Sequence, residues 1–296
     1  MTMRIGINPL TWTNDDLPEL GGDTPLETCL IEARQAGYAG MELGHKFPRT
    51  PERLAPLMKS HGLEVVSGWY SSNLLDRTVE AEIDALEPHL HLLASVGSRV
   101  LVLCETTRAV HGVQAAPLST RPRLTEPQWK RLTESLTRLG EHTAKRGIKL
   151  AYHHHMGTVI QTSEEIDRLM YACGPEVWLL LDSGHATYAG SDPVTLARTH
   201  GPRLAHVHTK DVRRRVLDWA LEHDVPFLAA VLEGVFTVPG DGCVDYPAFF
   251  AALAEANYSG WAVVEAEQDP KKAHPLTYAK MGYENAHARA REAGLL

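Results

Sequence analysis

The stretch TSEEIDRLMYACGPEVWLLLD, residues 162–182, holds one complete unit of a plan that the chain repeats. Thr162 followed three residues later by Glu165 is a capping box, in which each side chain satisfies a backbone N–H that the first turn of a helix leaves unpaired. Gly174 suits the left-handed conformation that ends a helix. The apolar run 177–182 then reads as a buried strand that ends on a carboxylate, Asp182.

The same punctuation recurs in both directions. Helices open at TPLE (Thr24 as cap, then Pro25, with Glu27 reaching back), TPER (Thr50, Pro51), TEPQ (Thr125, Gln128) and DPVT (Asp192, Pro193). Some of these are capping boxes, and others place proline where its missing N–H costs nothing. Glycines 37, 62, 97, 147, 174 and 201 close helices just before apolar runs. The strands predicted in this way are 3–8, 39–44, 63–69, 99–105, 148–154, 177–182, 203–209 and 261–266.

Eight strands alternating with helices fit an open parallel sheet or a closed barrel. The count, the length of 296 residues and the lack of a linker favour one α/β domain over residues 1–296, a single (β/α)8 TIM barrel. No GxGxxG follows the first strand, so the dinucleotide-binding alternative lacks its phosphate turn. Long connections at about 9–23, 106–124 and 210–245 are expected to cover the barrel mouth, and the last contains an extra helix within VRRRVLDWALEHDVPFLAAVLEG.

Composition narrows the function. With a net charge of −8 and no basic run longer than Arg213–Arg215, the chain lacks the positive stripe that gathers nucleic acid. Neither a signal peptide nor a membrane span is legible, so a cytoplasmic protein without membrane contact is expected. Cys29, Cys104, Cys173 and Cys243 form no CxxC pair and read as reduced packing residues.

In a TIM barrel the carboxyl ends of the strands converge on one face. Here they carry Asn8, Glu42, Glu105, the triplet His153-His154-His155, Asp182, His206, His208, Lys210, Glu265 and Glu267. Side chains alternate along a strand, so His153 and His155 share a face while His154 points into the packing behind. His153, Asp182, His208 and Glu265 together offer two imidazoles and two carboxylates, a set suited to Mn²⁺, Co²⁺, Fe²⁺ or Zn²⁺. Taken singly, each is equally readable as a hydrogen-bonded strand-end residue.

DSGHATYAG, HVHTKD and PGDGCVDYPAFFAALAEANYSGWAVVE resemble the xylose isomerase-like TIM barrels. NPLTWTNDDLPELGGDTPLETCL, AGYAGMELGHKFPR, YHHHMGT, GVFTVPGDGCVDYP and EAEQDPKKAHPLTYAKMGY are similar, more narrowly, to the inosose dehydratases of myo-inositol catabolism, over the whole chain. That resemblance implies loss of water from 2-keto-myo-inositol (scyllo-inosose) to give 3D-(3,5/4)-trihydroxycyclohexane-1,2-dione. It implies Mn²⁺ or Co²⁺, with homo-oligomers common in the family. Glutathione is implied by the resemblance alone, and no pattern in the sequence points to it.

The broader family coordinates its ion with Glu, Asp, His and Glu. Asp182, His208 and Glu265 fit the last three, whereas His153 departs from the usual Glu. The family's epimerases work with two glutamates on opposite sides of the ion, and one of that pair is absent here. A dehydration needs one base and one acid. On the resemblance, Glu265 or His155 is the candidate base and Lys210 or His185 the candidate acid.

Polyol-binding candidates are Asn8, Trp12, Asn14, Glu42, Trp69, Glu105 and Glu267, with Asp15 and Asn73 nearby. For the two tryptophans core packing is the favoured reading, and for His45 and Lys46 a solvated loop is an equal claimant. Rival readings are a metal-dependent ketose epimerase or isomerase, opposed by His153; an endonuclease, opposed by the charge; and a non-catalytic sugar-binding barrel.

Overall fold

The computed structural model describes residues 2–296. Among them lie ten strands: β1 (Arg4–Ile7), β2 (Gly40–Leu43), β3 (Glu64–Ser72), β4 (Val100–Glu105), β5 (Lys149–His153), β6 (Val177–Asp182), β7 (Leu204–Thr209), β8 (Asp211–Val212), β9 (Phe236–Thr237) and β10 (Trp261–Val264). Eight close a barrel in the order β1-β10-β7-β6-β5-β4-β3-β2, and β8 pairs with β9 as a separate ribbon. The barrel pairings are all parallel. The helices are α1 (Leu26–Ala36), α2 (Pro51–Ser60), α3 (Val79–Ser95), α4 (Glu126–Ala144), α5 (Ser163–Ala172), α6 (Ser183–Tyr188), α7 (Pro193–His200), α8 (Arg214–Glu222), α9 (Phe227–Leu232), α10 (Tyr246–Glu255) and α11 (Pro275–Glu292). None is long and apolar enough to cross a membrane.

The capping chemistry operates at α5, where the Thr162 hydroxyl accepts the Glu165 N–H at 3.4 Å and Glu165 Oε2 accepts the Thr162 N–H at 3.0 Å. Asp192 caps α7 by accepting the N–H groups of Val194 and Thr195. Thr24, in contrast, caps nothing. Pro25 holds the N-cap of α1 and the helix starts at Leu26, while the Thr24 carbonyl accepts from Lys46 Nζ at 2.6 Å.

Gly37, Gly62, Gly97 and Gly147 take positive φ as expected, but Gly174 and Gly201 do not. These two are glycines because of close packing. A Cβ on Gly174 would stand 2.6 Å from Thr137 Cγ2, and one on Gly201 would stand 2.4 Å from Ala256 Cβ.

The expected extra helix of residues 212–234 is two helices. The chain turns at Asp224, with φ 45°, and Pro226 forms the N-cap of α9, since proline cannot continue a helix through its missing N–H. Leu217 of α8 and Phe227, Leu228 and Val231 of α9 bury against Phe236, Tyr188 and Met156, an apolar cluster of their own. Three of the four cysteines are buried, but Cys243 is exposed, which corrects its reading as a packing residue.

Inside the barrel, Val100, Val102, Ala151 and Leu180 form an apolar layer. The next inward positions toward the carboxyl ends are His153 on β5 and Asp182 on β6, so the step of two residues that builds a strand face also carries the interior from apolar to ionisable.

Two pins shape the mouth. Asn14 Oδ1 accepts the N–H groups of Asp16 and Leu17, each at 2.8 Å, and folds the β1–α1 loop inward. The buried Asp211 carboxylate accepts four backbone N–H groups, from Val212, Gly240, Gly242 and Val244, at 2.8–3.0 Å. Asp211→Ala leaves these amides without their acceptor. A charged hydrogen bond contributes about 1.5–3 kcal/mol, so a loss of at least that size is expected, read as a lower midpoint in thermal unfolding. An unchanged midpoint would remove Asp211 as the pin.

Candidate active site

At the carboxyl end of the barrel lies a cavity of about 620 Å³, open mouth included, whose polar lining is Asn8, Asp15, Asp16, Glu42, Trp69, His153, His155, His208, Glu265 and Glu267. His153, Asp182, His208 and Glu265 each place one donor atom within 4.8 Å of the others, and all four are buried. His153 Nε2 stands 3.7 Å from Asp182 Oδ2, and His208 Nδ1 stands 3.5 Å from the same oxygen and 3.0 Å from Glu265 Oε2.

The far side of each ligand is fixed. His153 Nδ1 lies 2.6 Å from the His154 carbonyl, which can only accept, so Nδ1 carries the proton and Nε2 keeps its lone pair. His208 Nε2 is 3.1 Å from the Glu42 carboxylate, which leaves Nδ1 toward the other donors. Asp182 Oδ1 accepts the N–H groups of Gly184 and His185 at the start of α6, and Oδ2 is free to face inward. Such outer contacts orient metal-binding side chains.

Asp182 Oδ2 and His208 Nδ1 are buried without a hydrogen bond of acceptable geometry, a costly state for polar atoms in a protein interior. Two carboxylates and two imidazole nitrogens aimed at one point, two of the four orphaned, fit a divalent ion, which would take the place of the proton on His208. Burial pushes the Asp182 carboxyl up, but Lys210 and His208 outweigh it and hold the group below the usual range. Burial lowers the His208 imidazole, yet Glu265 and Glu42 raise it well above its ordinary value, a measure of the surplus negative charge a cation would meet here.

Glu42 is the hub behind the tetrad. It accepts hydrogen bonds from Asn8 (2.7 Å), Ser67 (2.5 Å) and His206 (2.8 Å) besides His208. Burial raises its carboxyl, and the His208 charge with the two histidine hydrogen bonds more than reverses this. Asn8 also donates to Glu265 Oε2 at 2.8 Å, joining β1 to the tetrad.

Outside the tetrad, His155 and Glu267 also line the cavity. His155 Nδ1 faces the Met156 carbonyl at 2.8 Å, so its lone pair is on Nε2, and burial with the neighbouring His111 holds the ring well below its usual pKa, hence neutral. Glu267 Oε1 accepts from Lys210 at 2.6 Å, and burial pushes its carboxyl up to about 7 against the lowering pull of Lys210. The α9 helix and β9 dry this side, with the Phe227 ring 5.3 Å from that of His155 and the Phe236 ring 5.2 Å from that of His185.

Several sequence candidates stand elsewhere. Lys210 and His185 are fully buried behind the cavity wall and not among its lining residues. Lys210 stays charged, because Glu265, Glu267 and Asp182 overcome its burial and raise it above its ordinary value. Trp12 is a core residue whose Nε1 donates to Glu32. Asn14 serves the loop backbone, and Glu105 accepts from Ser72 and from the backbone N–H groups of Leu74 and Thr107. His154 accepts the Asp182 N–H and so ties β5 to β6. Asp16, with His111 at 3.7 Å across the mouth, escaped the sequence reading because loop packing, not periodicity, brings it there.

A family model for the xylose isomerase-like TIM barrel matches residues 30–291. The chain belongs to the xylose isomerase-like TIM barrel family. The rhizopine catabolism protein MocC of Rhizobium meliloti is 54% identical over 294 residues, covering 99% of this chain and 90% of that protein. An inosose dehydratase of Geobacillus thermodenitrificans is 44% identical over 279 residues, 94% of each chain. The likeness to a named dehydratase along almost all of both chains makes this family member an enzyme of that kind. Among solved structures, the IOLI protein with a bound zinc atom superposes with a TM-score of 0.69 at 18% identity, over 98% of each chain, a likeness of fold.

Proposed function

We propose that this chain, acting as one catalytic barrel over residues 1–296, removes water from 2-keto-myo-inositol or a close keto-cyclitol. One observation carries the reading: three members of a four-donor ion site, His153, His208 and Glu265, and two further acid–base side chains, His155 and Glu267, line the same cavity, with the fourth donor, Asp182, within 4.8 Å of its partners. The 44% identical inosose dehydratase supports the substrate class. Mn²⁺ or Co²⁺ suits the mixed nitrogen and oxygen donors of His153, Asp182, His208 and Glu265, and Fe²⁺ or Zn²⁺ can use the same set. Such an ion supplies Lewis acidity, which polarises a ketone and acidifies the adjacent C–H.

The chain's own groups do the proton work. The Nε2 lone pair of His155 takes the proton from the carbon next to the ketone, and Glu267 gives a proton to the hydroxyl on the following carbon, which leaves as water while a C=C bond forms between them. Glu265 has both oxygens committed, Oε1 to Lys210 at 2.5 Å and Oε2 to Asn8 and the tetrad, so it is the ligand rather than the base. Lys210 and His185 act from behind the wall. Asp15, Asp16 and Trp69 line the cavity and offer the polyol carboxylate acceptors and a ring face.

The test presents ion-loaded protein with 2-keto-myo-inositol and, separately, with an open-chain ketose. A product lighter by one water from the cyclitol supports the reading. Unchanged cyclitol with an epimerised ketose would replace it by the epimerase reading.

A further inference from the structure

We infer that Lys210 is the built-in cation of a second donor group and thereby keeps the active centre mononuclear. The inference rests on the tetrad holding an ion, as proposed above. His155, His185 and Glu267 bring three further donor atoms within 4.8 Å of one another, all buried. Two imidazoles and a carboxylate are by themselves a competent set for a divalent ion. Here an ammonium stands against two of the three, His185 and Glu267.

Lys210 Nζ lies 3.0 Å from His185 Nε2, 2.6 Å from Glu267 Oε1 and 2.5 Å from Glu265 Oε1. The ammonium donates to Glu267, pairs with Glu265 and has His185 Nε2 at hydrogen-bond distance. The Phe236 ring, its centroid 4.6 Å from Nζ, adds a cation–π contact. The side chain reaches this point because residue 184 is glycine: a Cβ there would meet Lys210 Cγ at 2.6 Å. Gly184 therefore has a packing reason, admission of the lysine stem.

The two groups share Glu265. Oε2 lies 3.0 Å from His208 Nδ1 while Oε1 pairs with the ammonium, so an ion held by the tetrad would share this carboxylate with Lys210. The consequence bears on chemistry. A second metal ion would ligate His155 and Glu267 and withdraw the proton-transfer pair from the substrate. A lysine neutralises the same carboxylates and leaves His155 Nε2 without a bond.

The test is ion stoichiometry. Chelator-stripped wild type, Lys210→Ser and Lys210→Gln are titrated with Co²⁺, bound cobalt per chain is counted after desalting, and thermal unfolding is followed in the same samples. The wild type should retain one ion. Lys210→Ser, with the ammonium gone and space opened, should retain two, the second equivalent raising its unfolding midpoint. If the serine variant does not melt cooperatively, Lys210→Gln, close to isosteric and neutral, decides instead, with two ions supporting the inference and one overturning it. A folded variant that saturates at one ion, or a wild type that takes two, overturns it with the tetrad intact. A wild type that retains none removes the tetrad reading and this inference together.

Discussion

Glu267→Gln should yield a protein that still exchanges the acidic C–H of 2-keto-myo-inositol for solvent deuterium but dehydrates it about 10²–10⁴-fold more slowly. Glutamine keeps an oxygen to accept from Lys210, which contacts Glu267 Oε1 at 2.6 Å, so the wall behind the cavity is preserved. What is lost is an acidic proton for the departing hydroxyl. Proton removal by His155 belongs to the earlier step and continues. His155→Gln should behave differently, losing exchange and dehydration together, since no other neutral imidazole lines the cavity with an open nitrogen except the ligand His153. The two variants are compared in D₂O by mass spectrometry. Near-normal dehydration by Glu267→Gln, or exchange surviving in His155→Gln, would reassign the acid or the base respectively.

Asp182→Asn has the second large effect, and its geometry makes it informative. The amide oxygen of asparagine can take over from Oδ1, which accepts from Gly184 and His185, so the cap of α6 survives. In place of the orphaned Oδ2 it presents an N–H₂, which cannot ligate and which meets His153 and His208 at the tetrad. Loss of an outer partner of a metal ligand costs about 10–100-fold in affinity, so loss of the ligand itself should exceed that, and turnover should fall with it. Equilibrium dialysis against Co²⁺, with an unfolding curve to show an intact barrel, measures the effect. An unaltered affinity would mean that the ion sits elsewhere.

Much of this architecture is written locally. Eight strands and the meeting of His153, Asp182, His208 and Glu265 are legible because caps, closing residues and a two-residue alternation are short-range signals, and a closed barrel turns strand ends into neighbours. What the sequence hides is long-range. Glu105, a carboxylate at a strand end, reads in the sequence as a polyol-binding candidate, yet the chain itself satisfies it through Ser72, Leu74 and Thr107. Trp12 finds Glu32. Asp16 and His111 meet across two mouth loops, which no periodicity encodes. Two-residue alternation along β7 sets Lys210 on the face of His206 and His208, but its withdrawal behind the wall depends on Gly184, and a glycine's packing neighbour cannot be read from its own flanks.

The most direct measurement follows bound ion and dehydration rate in the same samples while Mn²⁺ or Co²⁺ is added to chelator-stripped protein. The account predicts that both rise together from near zero and level off at one ion per chain. Full dehydration of 2-keto-myo-inositol by stripped protein, or activity that does not track the bound ion, would contradict it.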